Sequence, residues 1–174
     1  MRHRLVSCSI AVLALFSPAA IAQDRAAYME QCLGDDESII IAGCTALIDS
    51  GWDSERNLAV SHFHRGRAHF RMQNYDDAIH DFDEAIRLRP NFLNAFFQRG
   101  DVYLTIQNYD DAIRDFTEVV RLNPEDAIAF RYRGNAHLGK MEYEQAIADF
   151  DEALRLDPDD IAASEARARA MGGQ

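Results

Sequence analysis

Between Ala59 and Asp160 the apolar residues recur at spacings of three and four, the period of a helix that buries one side. Short polar breaks interrupt the pattern and predict helices of about four turns with tight connections. A proline closes every second helix: Pro90, Pro124 and Pro158. Proline lacks the backbone N–H and clashes with the turn before it, so it ends a helix.

The pattern repeats. Residues 59–92, 93–126 and 127–160 align without a gap, each 34 residues long, and their second halves are close copies. Gly66, Gly100 and Gly134 hold position 8 of the unit, and Ala78, Ala112 and Ala146 hold position 20. Small residues there allow two antiparallel helices to approach closely. Tyr75, Tyr109 and Tyr143 at position 17, with Phe82, Phe116 and Phe150 at position 24, fill the space around that approach. Each unit is therefore predicted to be a helix, a turn and a helix. No such hairpin buries its apolar side alone, so the units must stack.

These marks resemble the tetratricopeptide repeat, carried here by Gly66, Ala78, Phe82 and Pro90 and their counterparts in the next two units. The chain departs from the family at position 4, with His62, Phe96 and Phe130, and at position 11, with His69, Tyr103 and His137. Both changes keep bulky side chains. The resemblance implies an all-α fold: a right-handed α-solenoid of helix hairpins with a C-terminal capping helix over 161–174. It also implies a protein that binds others through the concave side of the array.

The flanks extend the picture. Residues 23–51 resemble a worn repeat, with Ile40, Ile41, Cys44 and Ile48 keeping the rhythm and Cys44 standing where phenylalanine is expected. Residues 52–58 are expected to be a linker, with Asp53 or Ser54 capping the next helix. Residues 161–171 form an Ala-rich segment with Glu165, Arg167 and Arg169, expected to be a solvating cap that ends at Gly172-Gly173.

Residues 1–22 have the form of a signal peptide. A basic start (Arg2, His3, Arg4) precedes the apolar stretch from Leu5 to Phe16, then Pro18 and the small-residue site Ala20-Ile21-Ala22. Cleavage is expected after Ala22, and the mature protein would be periplasmic or secreted. An uncleaved anchor is the alternative, but the apolar stretch is too short to span a bilayer. Export leaves Cys32 and Cys44 as an even pair in an oxidising compartment, which favours a disulfide between them. A bridge closing so short a loop contributes about 3 kcal/mol in the chain-entropy account. Exported bacterial envelope repeat proteins resemble this whole arrangement.

Charge narrows the partners. The net charge is −11, and a surface this acidic repels phosphate backbones, so nucleic acid is disfavoured. The acidic runs Asp76-Asp77, Asp110-Asp111, Asp81-Phe82-Asp83-Glu84 and Asp157-Pro158-Asp159-Asp160 lack EF-hand spacing and are expected to be solvated. His62, His64 and His69 invite a metal site, but His62 and His69 occupy packing positions. No phosphate-binding loop, dinucleotide fingerprint, nucleophile elbow or zinc-protease motif is present, so the expectation is no enzyme, no metal and no cofactor.

What remains is a concave lining contributed by the first helix of each unit. In the resembled family it uses roughly positions 2, 5, 6, 9, 12 and 13. The candidate peptide-binding residues are Phe63, His64, Arg67, Arg71, Asn94, Phe97, Asp101, Arg131, Tyr132 and Asn135. Phe70 and Leu104 are open between lining and packing. Aromatics and arginine are typical binding anchors. The expected partner is a peptide or helix of another exported protein. A structural subunit that docks through its ends or convex face is the alternative, and an enzyme or metal carrier the remote one. Intact mass of the exported protein should give a chain beginning at Gln23 and a two-proton deficit that reductant restores; free thiols or a retained prefix would refute these expectations.

Overall fold

In the computed structural model, which describes residues 18–173, the chain forms nine helices and no strand among those residues. They are α1 (Pro18–Cys32), α2 (Glu37–Ser50), α3 (Glu55–Arg71), α4 (Tyr75–Leu88), α5 (Leu93–Thr105), α6 (Tyr109–Leu122), α7 (Ala127–Gly139), α8 (Tyr143–Leu156) and α9 (Ile161–Gly172). The expected signal segment lies almost entirely outside the described residues. Pro18, expected to break a helix, is instead the first residue of α1, where its missing N–H costs nothing.

Each helix packs on the next. The odd-numbered helices also touch one another in sequence, α1 with α3, α3 with α5, α5 with α7 and α7 with α9, whereas the even-numbered helices make no such contact among the described residues. The odd helices therefore form the shorter inner row and the even helices the splayed outer row. Curvature follows, with the odd helices on the concave side.

The close approach inside each hairpin sits where the glycines predicted it. A Cβ built on Gly66, Gly100 or Gly134 would fall 2.9, 3.0 or 2.8 Å from the ring of Phe82, Phe116 or Phe150. Those rings are fully buried, as are Ala78, Ala112 and Ala146. The turn between the two helices closes on Gln73, Gln107 or Met141, each with φ near +62°. The following N–H reaches back to His69, Tyr103 or His137, satisfying a carbonyl the helix end leaves open.

The first hairpin solves the same problem differently. A Cβ on Gly43 of α2 would lie 2.5 Å from Gln31 Cβ and 2.7 Å from the backbone of Cys32. With that approach the Cα atoms of Cys32 and Cys44 are 4.6 Å apart and their sulfurs are bonded at 1.98 Å. Arg25 of α1 reaches Asp53 at 2.6 Å and ties the hairpin to the start of α3. Burial alone would raise the Asp53 carboxyl, but hydrogen bonds from Arg25 and Asn57 hold it below its usual range.

The linker expected over 52–58 is shorter than that. Ser54 caps α3, accepting from the backbone of Asn57, so the helix starts at Glu55. At the other end, α9 buries Ala163, Ala166 and Ala170 but leaves Ile161 and Met171 exposed, so the cap is not the polar covering expected.

The glycine contacts have a measurable consequence. Gly134→Ala should lower stability by about 1–3 kcal/mol in urea unfolding, because the Phe150 ring has nowhere to move, and despite the roughly 1 kcal/mol helix preference of alanine. Gly172→Ala, where a new Cβ meets nothing within 4 Å, should be neutral or slightly stabilising.

Candidate functional site

The concave lining divides into three zones. On α3, His64, Arg67 and Arg71 share one side of the helix at spacings of three and four. Burial lowers the His64 pKa, and the nearby charges of Arg67 and Arg71 lower it further, so His64 is neutral at pH 7. Arg71 meets Glu37 at 3.0 Å. Arg67 lies over the Phe63 ring at 5.7 Å and has no carboxylate within ion-pair distance among the described residues.

In the middle, Phe97 of α5 and Tyr132 of α7 form an aromatic ridge, with centroids 5.0 Å apart and both rings leaning on Phe116. Both are half-buried. Asn94 is exposed, and Asn135 and Asp101 are half-buried beside the ridge. Burial pushes the Asp101 carboxyl above its usual range. On the far side, Arg131 stacks over Tyr132 at 5.1 Å and is held by Asp160 at 2.8 Å. Its charge is already answered.

Nine of the ten expected lining residues keep some exposure. Phe63 does not serve as an accessible anchor. It is 8 % exposed and packs on Phe82 and Phe92 at centroid distances of 6.0 and 5.0 Å, because α3 and α4 converge on it. Phe70 and Leu104 likewise pack against their neighbours' apolar clusters.

Of the acidic residues in the runs expected to be solvated, all but Asp81 keep at least partial exposure. Asp81, Asp115 and Asp149 are buried, and each accepts a forked pair of hydrogen bonds from an arginine sixteen residues earlier: Arg65, Arg99 or Arg133. The same arginines reach back to the preceding hairpin, to Thr45, Asp83 and Thr117. One side chain thus fastens its own hairpin and the joint to the one before. The clue was present in the sequence as Arg-Gly and Asp-Phe dipeptides at a constant spacing.

Neighbours tune these pairs. At Asp81, burial would raise the carboxyl, but hydrogen bonds from His62 (2.9 Å) and Arg65 hold it down. Asp115 has no histidine donor. Burial pushes it up against the pull of Arg99, and Asp83 and Asp111 add to the push. His62 is therefore an ion-network partner as well as a packing residue, and among the described residues no three His, Cys, Asp or Glu side chains cluster to hold a metal.

Comparison with known proteins places this geometry. Two family models described as tetratricopeptide repeat match residues 59–92 and 97–161, together more than half the chain. No curated protein sequence matches. Among solved structures, the chain resembles MamA 41-end from Desulfovibrio magneticus RS-1, with 25% identity, TM-score 0.72 and coverage of 86% of this chain and 90% of that one. A crystal structure of MamA protein has TM-score 0.78 at 18% identity, covering 87% and 83%, which speaks to fold alone. The second tetratricopeptide domain of human RPAP3, solved in complex with the HSP70 peptide SGPTIEEVD, has 26% identity and TM-score 0.65, covering 68% of this chain and 98% of that one.

The buried pairs make a prediction that their exposed neighbours do not share. Asp115→Ala should cost about 2–4 kcal/mol in urea unfolding, because it strands a half-buried guanidinium. Asp83→Ala removes an exposed partner of the same arginine and should cost under about 1 kcal/mol.

Proposed function

The chain belongs to the tetratricopeptide-repeat family, whose members are protein-interaction scaffolds, and from that premise we propose that its concave groove holds a peptide or helix of another exported protein. The observation that carries this reading is that the lining leaves Arg67 without a carboxylate and the Phe97–Tyr132 ridge half-exposed. Two arginines of the lining, Arg71 and Arg131, are satisfied by Glu37 and Asp160. Arg67 is not: it lies over the Phe63 ring on α3, while the half-exposed Phe97–Tyr132 pair sits on α5 and α7.

Such a surface suits a mildly acidic, apolar segment. The ridge supplies rigid contact area at low entropy cost, and Arg67 offers its donors to a carboxylate or a backbone carbonyl. Asp101 beside the ridge limits how much negative charge the middle of the groove tolerates. A segment with an acidic end over α3 and an apolar middle over α5 and α7 meets both demands. The described residues contain no helix long and apolar enough to cross a membrane. Partner binding is the role these surfaces support.

Export to the periplasm or beyond is part of the same proposal. It rests on the form of residues 1–22 and on the cysteine pair, which suits an oxidising compartment.

The test is capture. The triple change Arg67→Ala, Phe97→Ala, Arg131→Ala should abolish retrieval of the partner that the wild-type protein draws from an envelope extract, with helical content kept. Phe97→Ala alone should weaken it by at least about tenfold, the cost of losing one aromatic anchor. Undiminished capture by a folded triple variant refutes the groove as the binding surface.

A further inference from the structure

Two arginines without a carboxylate lie at the two ends of one aromatic stack. Arg67 of α3 sits over the Phe63 ring at 5.7 Å, and Arg89 sits over the Phe92 ring at 4.6 Å. The Phe63 and Phe92 centroids are 5.0 Å apart. Both rings are buried, and both arginines are half-buried. Among the described residues neither guanidinium makes a side-chain hydrogen bond or an ion pair, whereas Arg71 and Arg87 take Glu37 and Glu84. The chain has 29 acidic residues against 18 basic ones, so acids to answer these two are not scarce.

The turn that builds the outer half of the stack recurs at each proline, but its side chains do not. Pro90 confines Arg89 to extended backbone (φ −140°, ψ 86°). The Phe92 N–H donates to the Arg89 carbonyl at 3.0 Å, which brings the ring under the guanidinium. Asn123 and Asp157 hold the same conformation before Pro124 and Pro158, with Asp126 and Asp160 bonded back to them. There the aspartate caps the next helix, Asp126 accepting from Ala129 and Asp160 from Ala163. Phe92 offers no oxygen, and α5 starts without a side-chain cap.

Burial against Phe63 compensates for the lost cap. It does not account for Arg89, because the same turn forms with asparagine or aspartate in that place. In the third unit the counterparts of Phe63 and Phe92 are Arg131 and Asp160, paired at 2.8 Å. Contact between these two positions is thus common to both units, and flanking it with arginines is particular to the first. A guanidinium stacked on a ring is ordered before a ligand arrives, and its N–H edge stays free to fork onto a carboxylate.

We propose, on the premise that the concave groove holds a partner segment, that Arg67 and Arg89 form a two-point clamp for the acidic end of that segment, which leaves the groove over the Arg89–Phe92 turn. Charge selects the occupant. Two unanswered guanidiniums joined by a rigid stack suit a protein segment with two acidic side chains, one carboxylate on each arginine. The apolar residues that follow reach Phe97 and Tyr132.

The test uses the full protein and a series of labelled peptides with both ends blocked. The peptides differ in the spacing of two glutamates and share a following leucine and phenylalanine. Fluorescence polarisation should find one spacing that binds best. Against that peptide, Arg67→Gln and Arg89→Asn should each weaken binding about tenfold, the worth of one charge-assisted pair. Arg121→Gln on α6, where the arginine already has Glu118, should not. Arg89→Asn installs the residue the next joint carries, so the turn is kept, and circular dichroism checks the fold of each variant. Changing both glutamates to glutamine should weaken binding to the wild type and erase its advantage over the Arg67 and Arg89 variants. Loss with Arg67→Gln and Phe97→Ala but not with Arg89→Asn overturns the clamp and leaves the groove standing. Indifference to all three overturns both. No binding by any peptide of the series overturns the clamp. Equal binding of a glutamate peptide lacking leucine and phenylalanine makes the site a general anion site and overturns the choice of occupant.

Discussion

The distance between the two helices of each hairpin governs this molecule. At Gly66, Gly100 and Gly134 the first helix has no side chain, so the ring of Phe82, Phe116 or Phe150 lies against its backbone. A core that dense has no slack, because buried side chains at crystal-like packing cannot absorb an added methyl. Everything beside that contact is then fixed in register. The residue before each glycine is an arginine and the residue before each phenylalanine an aspartate, so closing the helices brings one guanidinium onto one carboxylate. The apolar contact sets the distance, and the ion pair sets the rotation and slide.

That arginine also reaches to the previous hairpin, and this links local packing to overall shape. Thr45, Asp83 and Thr117 receive it across the joint, so hairpins meet at a repeated angle. The inner row of helices closes up while the outer row splays. A concave surface follows from the geometry of one unit applied several times, as expected of a quasi-one-dimensional array. Because the buried acids are consumed by the array's own arginines, what the groove has left over decides its chemistry: Arg67 without a carboxylate, Asp101 half-buried, and Phe97 with Tyr132 between them.

The two ends depart from the unit in instructive ways. In the first hairpin the small residue moves to the second helix as Gly43, and a bond between Cys32 and Cys44 stands where the phenylalanine contact would be. The covalent link joins a pair whose buried cluster also includes Ile40 and Leu47. At the other end α9 keeps the arginine, replaces glycine by Ala168, and leaves its outer side uncovered. One end is held by a bond within the hairpin, and at the other, among the described residues, Ser164, Ala168 and Met171 of α9 are exposed.

The sequence by itself determined the helices, their pairing and their stacking, because glycine, alanine, phenylalanine and proline act through size and backbone geometry, which a 34-residue period displays directly. It also set the expected lining on the first helix of each unit, since a helix position repeated at a fixed interval faces one way. It did not reveal that Asp81, Asp115 and Asp149 are buried. A charged residue in isolation belongs in water, and only the approach of the partner helix makes an arginine fork the better solvent. Nor did it separate Phe63, sunk against Phe82 and Phe92, from Phe97, half-open beside Tyr132, although both hold position 5. Those outcomes depend on what the neighbouring hairpin places opposite each ring, and that is a property of the tertiary structure alone.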